Sequence, residues 1–199
     1  FHVREAEKKL KELELVVAQR TADLQTKTRE LEIEASLERV RAAAMGMYKP
    51  DDLLNIAQVL FKEIVALGFT NIRCALIHIF NDKERYFFDY DYSDFTGGKI
   101  THVPYKGNKT VEKFLELVRH SDDAFVKVVM KGKEFTEWKL FRKRSGQLHD
   151  ERMTKARQLN YYFYSIGAGN IGLSTFGNIT AEQLEILKRF RNVFDFSYR

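Results

Sequence analysis

Cys74 is the only cysteine in the 199 residues, so no intrachain disulfide can form and nothing points to an oxidising compartment. A reduced cytoplasm is the expected setting. Long apolar runs are missing as well: no stretch approaches the ~20 residues that span a bilayer, and no signal peptide opens the chain, so no membrane contact is expected. Metal-binding spacing is absent. His78, His102, His120 and His149 lie far apart, with no His-x-x-x-His or Cys-x-x-Cys pattern, and neither a metal nor another cofactor is expected. Enzymatic signatures are lacking too, for no nucleophile stands with a base and no phosphate loop is present. The one dense glycine cluster, Gly167-Ala168-Gly169-Asn170-Ile171-Gly172, falls in a hairpin, whereas a phosphate cradle needs a helix start directly after it. A surplus of one charge is also slight. The net +5 sits entirely after residue 47, since the first 47 residues hold nine Lys or Arg against nine Asp or Glu. Basic residues are interspersed with acids, which argues against a nucleic-acid partner.

What the chain does have is 44% hydrophobic and 13% aromatic residues, enough for one domain with a half-buried sheet. Ahead of it, Val3, Leu10, Val17, Leu24 and Leu31 recur every seven residues through a charged segment. Apolar residues at that period form a stripe that drifts around a straight helix, and a supercoiled partner keeps it buried. A parallel homodimer is expected. Leu37, Val40 and Ala44 continue the predicted seam, but in a shifted heptad frame, so a register discontinuity lies between Leu31 and Leu37. Gly46 and Pro50 then end the helix. The expected division is a coiled-coil helix over 1–47 and a sensory domain over 48–199.

Within the domain, the spacing predicts a helix capped by Asp51 or Asp52 and stopped by Gly68. Strands are expected over 71–80, 85–92 and 99–105, a helix from Thr110 to Arg119, a strand over 124–130 and helices over 134–144 and 150–159. Strands over 161–167 and 170–176 and a last helix capped by Thr180 complete the chain. The fold class is α+β: a long N-terminal helix, then an antiparallel sheet flanked by helices, the terminal ones on one face and segment 106–159 on the other. Asp89 and Asp91 share a face of the second strand, most simply the solvated one, with Tyr90 and Tyr92 opposite. Cys74 reads as a small buried hydrophobe, and the basic run 139–144 as the solvated face of its helix.

Several segments resemble known signalling proteins. Gln19-Arg20-Thr21-Ala22-Asp23-Leu24 is similar to the signalling helix that links modules in bacterial sensor kinases and cyclases. Leu37-Glu38-Arg39-Val40-Arg41, Met45-Gly46-Met47 and Asp52-Leu53-Leu54 resemble the start of GAF-like sensory domains of two-component proteins. Asn170-Ile171-Gly172-Leu173 and the helix from Leu187 to Phe194 look like the closing hairpin and exit helix of that group. The resemblance implies a dimeric, non-catalytic sensory domain in a longer chain that carries an output module. The chain begins with Phe1 and its last helix stops uncapped, which also reads as a piece of something longer. It lacks the cysteine-anchored bilin motif and the Asn-Lys-Phe-Asp-Glu tetrad of cyclic-nucleotide GAF domains, so neither ligand is implied.

The layering leaves room for a cavity between the sheet and the middle segment. Tyr90, Tyr92, Tyr105, Trp138, Tyr161 and Phe163 are its candidate lining, and Arg73 or His78 its polar anchor, for a small-molecule ligand of unknown identity. The same aromatics equally suit a filled core, in which case the module only dimerises and spaces its neighbours.

Overall fold

A computed structural model describes residues 2–198 of the protein. Helix α1 runs from His2 to Met45, and the chain divides into two compact units between Ser36 and Leu37. In the first unit the heptad residues Val3, Leu10, Val17, Leu24 and Leu31 are between 58% and 73% exposed, an uncovered apolar stripe.

The second unit begins at Leu37, earlier than the expected 48. Leu37, Val40 and Ala44 are buried by the chain's own side chains, which corrects their assignment to a dimer seam. The heptad frame shifts where the apolar residues of α1 change from exposed in the first unit to buried in the second. Arg39 fastens this stretch with two hydrogen bonds to Glu63, at 2.6 and 2.8 Å. Helix α2 (Leu53–Ala66) follows a short 3-10 turn, Pro50–Asp52, in which the Asp52 carboxylate accepts the N–H groups of Tyr48 and Lys49.

Six strands follow: β1 (Ile72–Asn81), β2 (Tyr86–Ser93), β3 (Gly97–Pro104), β4 (Phe125–Lys131), β5 (Gln158–Ser165) and β6 (Gly169–Thr175). They form one sheet in the order β3-β2-β1-β6-β5-β4, with every neighbouring pair antiparallel. Central strands are buried along nearly their whole length, as covering on both faces demands, whereas the edge strand β4 alternates buried and exposed residues. Helix α2 packs on β1 and β2, and α6 (Ala181–Tyr198) on β5. Thr180 and Gln183 close a reciprocal capping box at the start of α6. The opposite face carries α3 (Lys109–Val118), α4 (Gly132–Arg144) and the single turn α5 (Arg152–Lys155). The helix expected over 150–159 is this one turn, because Gln158 already begins β5. No helix among the described residues is long and apolar enough to cross a membrane.

Candidate functional site

Strand pairing decides which side chains meet on the face beneath α3 and α4. Residues opposite one another on neighbouring strands project to the same side of a sheet. Thr101 pairs with Asp89, Asp89 with His78, His78 with Asn170, and Asn170 with Ser165. Five strands thus contribute one polar row, and all five residues are buried. The expectation that Asp89 and Asp91 face solvent is overturned: they are 1% and 5% exposed and lie on the inner face. Helices cover both sides of β2, so alternation alone could not assign its faces.

A β-bulge places Arg73 in this layer. Pairing of β1 with β6 slips between Ile72 and Cys74, which sets one extra residue in β1. Regular alternation would send Arg73 and His78 to opposite faces, and the bulge brings both inward. Arg73 then donates to Asp91 Oδ2 at 3.0 Å, to Ser174 Oγ at 2.9 Å and to Cys74 Sγ at 2.6 Å. Burial disfavours the Asp91 anion, but the Arg73 and Arg142 guanidiniums outweigh it and hold the carboxyl below the usual carboxylate range. Burial pushes the Cys74 thiol well above its ordinary value, against the pull of Arg73, and keeps it protonated. The cysteine is as buried as expected, but its neighbours include two charged groups as well as apolar ones.

Helix α4 supplies the opposite wall. Phe135, Trp138 and Arg142 recur at spacings of three and four, so Arg142 shares the buried stripe and leaves the solvated side expected for the 139–144 run. Its Nη2 donates to Leu148 O at 3.2 Å and lies 3.9 Å from Asp91 Oδ2. After α4 the chain folds back over the sheet, held by Lys99, whose Nζ donates to Gly146 O at 2.7 Å. This return carries Gln147 to Asp89, where Gln147 Nε2 donates to Oδ2 at 2.7 Å. Farther on, Arg152 donates to Asp150 and to the carbonyls of Ile72 and Arg73, at 3.2 and 2.8 Å. The segment over the cavity is therefore tied to the bulge of β1.

Between these walls lies a cavity of about 30 Å³. Its apolar lining includes Phe87, Phe114, Trp138, Tyr161 and Phe163, and its polar lining His78, Asp89, Arg142 and Gln147. Trp138 Nε1 donates to the Tyr161 hydroxyl at 3.1 Å, and Tyr161 stacks on Phe163 at 5.5 Å. Gly172 permits this stack: a Cβ there would collide with the Phe163 ring and the Tyr162 carbonyl. Two open grooves adjoin the cavity. One, of about 530 Å³, shares Arg142 and Gln147; the other, of about 370 Å³, shares Thr110, Phe114 and Val128.

Of the predicted ligand residues, His78, Trp138, Tyr161 and Phe163 come together on the cavity. Arg73 stands behind it, joined through Asp91 to Arg142. Tyr90 and Tyr92 are corrected to the other face, where Tyr92 accepts a hydrogen bond from Gln58 and meets Phe61 edge-on at 5.8 Å. Tyr105 binds Asp82 and Arg119 away from the cavity, and burial together with the Asp82 carboxylate pushes its phenol up to about 12. Asp89, Arg142 and Gln147 were missed. The stripe spacing of α4 signals Arg142, whereas nothing local marks Gln147, which reaches the site by chain reversal.

The polar lining is incompletely paired. Among the described residues, His78 Nδ1, Asp89 Oδ1 and Gln147 Oε1 have no hydrogen-bond partner, nor do Thr101 Oγ1 and the side-chain amide atoms of Asn170. His78 Nε2 lies 3.3 Å from Asp89 Oδ1, without the alignment of a hydrogen bond. Among the described residues no three His, Cys, Asp or Glu side chains gather in a way that suits a metal ion. No protein-family model matches the chain, and no curated protein matches it in sequence.

Proposed function

We propose that the chain is a non-catalytic sensory and signal-transmission module of GAF-like type, dimerised through its N-terminal helix in a larger cytoplasmic signalling protein of bacterial two-component type. The observation that carries this reading is the cavity under α3 and α4, where buried polar atoms without hydrogen-bond partners among the described residues stand with an aromatic lining. Such groups cost about 1–3 kcal/mol each when left unsatisfied, so retaining several in one place speaks for a site that meets something. Support for the transmission half comes from α1. Its seven-residue stripe is exposed over the first unit, and a second copy in parallel register is the occupant that its 3.5-residue period fits.

Occupancy of the cavity changes the hold of the 145–152 segment on β1, and the domain then favours one of two helix registers. The frame shift between Leu31 and Leu37 is the soft point at which they interchange. Sedimentation tests the dimer: the intact chain should be dimeric at micromolar concentration, and Leu10→Glu with Leu24→Glu should make it monomeric. A monomeric parent would sink this part of the reading. Insertions that restore one continuous heptad across 31–37 should change output in the full-length protein.

One observation favours the second reading, a dimerisation spacer without a ligand. The cavity's 30 Å³ admits little more than a water or two without side-chain movement. A panel of small metabolites that leaves the melting temperature unchanged would favour the spacer.

A further inference from the structure

The unpartnered atoms of the cavity specify more than its use as a site. Gln147 Nε2 donates to Asp89 Oδ2, and this bond fixes the amide so that Oε1 is its acceptor end. Oε1 and Asp89 Oδ1 are then two acceptors on one cavity lining, each without an aligned donor among the described residues, His78 Nε2 lying 3.3 Å from Oδ1. Both call for N–H or O–H groups on whatever enters. Arg142, on the same lining, makes its described polar contacts through Nη2, and a guanidinium carries five N–H groups, so it can serve an acceptor on the same molecule.

Charge decides between the candidates that satisfy such a pattern. Arg73 and Arg142 stand with Asp89 and Asp91 in one buried layer, two cations against two anions. A charged ligand would upset that balance where water cannot screen it, and an uncompensated buried ion is costly. Flat walls complete the description: Trp138, Tyr161, Phe163 and Phe114 present ring surfaces with neighbouring centroids 4.7–5.9 Å apart.

We propose that the cavity, widened by side-chain movement toward the groove that shares Arg142 and Gln147, binds a neutral, planar molecule of primary-amide type, with its two N–H groups on Asp89 and Gln147 and its carbonyl oxygen on Arg142. The proposal rests on the reading of the cavity as a ligand site. It is tested on the intact chain by NMR titration with acetamide and benzamide, beside acetate and acetamidinium as charged counterparts of acetamide with similar shape. The reporters are the Trp138 indole and Gln147 side-chain N–H signals. Saturable shifts with the two neutral probes alone are expected, together with a loss of affinity of about tenfold in Asp89→Asn and in Gln147→Met, the scale of one hydrogen bond. Each variant is first shown to keep the parent's dispersed spectrum, and the milder Gln147→Met stands if Asp89→Asn unfolds.

Saturation by acetate or acetamidinium in place of the neutral probes would overturn the assigned class while leaving the ligand site standing. Equal binding by parent and variants would overturn it too, because the ligand would then not rest on these atoms. Silence from all four probes, with ordered waters bridging Asp89 and Gln147 in a crystal structure, would remove both the class and the site.

Discussion

Asp91→Ala removes the carboxylate that Arg73 binds and Arg142 approaches, and leaves the two buried guanidiniums with one carboxyl group, Asp89, in their layer. Arg73 is 1% exposed and its bond to Asp91 Oδ2 is 3.0 Å, while Arg142 lies 3.9 Å from the same oxygen. Breaking a buried pair by deleting one partner costs about 3–5 kcal/mol, chiefly through the stranded charge. For a chain of this size each kcal/mol moves the melting temperature by roughly 2–4 °C, so a loss of about 6–20 °C is expected. Trp138, the only tryptophan, sits in the same core and reports unfolding by its fluorescence in urea. The double variant Arg73→Met with Asp91→Leu separates charge from packing, and it should recover part of the loss, because Arg73 is no longer stranded while Arg142 still lacks Asp91. A cost below about 1 kcal/mol for Asp91→Ala would refute the argument. So would a double variant no better than the single one.

Acid should expose the same group. The folded-state pKa of Asp91 lies below its unfolded value, so its contribution is complete above about pH 4 and is lost as pH falls through the folded value. Urea midpoints measured downward from pH 5 should fall more steeply for the parent than for Asp91→Asn. Arg152→Ala should destabilise by about 2–3 kcal/mol in urea titration, since its guanidinium holds two carbonyls of β1. Gly172→Ala should cost about 1–3 kcal/mol from overpacking against Phe163, with Ala168→Gly in the hairpin as a milder comparison. Calorimetry that found Gly172→Ala neutral would show that the Phe163 ring and the Tyr162 backbone can both give way at no cost.

Element order and layering were legible because periodicity changes along the chain. The four-and-three spacing of Leu53, Ile56, Leu60 and Ile64 marks a helix, the β-branched and aromatic runs mark strands, and Thr180 with Gln183 marks the start of the last helix. Half of the candidate ligand residues do meet on the cavity, and the sequence pattern shows why for three of them: Trp138 lies on an amphipathic stripe, and Tyr161 and Phe163 share one strand parity. Long-range placement was not legible. Asp89 and Asp91 occupy a strand covered on both sides, where polarity does not indicate the wet face. The bulge that turns Arg73 inward is a property of strand pairing, and Gln147 arrives at Asp89 across a separation of 58 residues. For α1, a heptad looks the same whether its apolar side is met by a second chain or, as at Leu37, Val40 and Ala44, by the chain's own domain.

The polar row from Thr101 to Ser165 has a consequence for how the chain finds its fold. A six-stranded sheet apolar on both sides could pair its strands one residue out of step and still bury comparable surface. Here such a slip would carry a strand's share of Asp89, His78 and Asn170 to the side of α2 and part Asp91 from Arg73. Misaligned pairings are penalised by charges stranded in oil, so the row works as a key cut across five strands, and it admits one alignment.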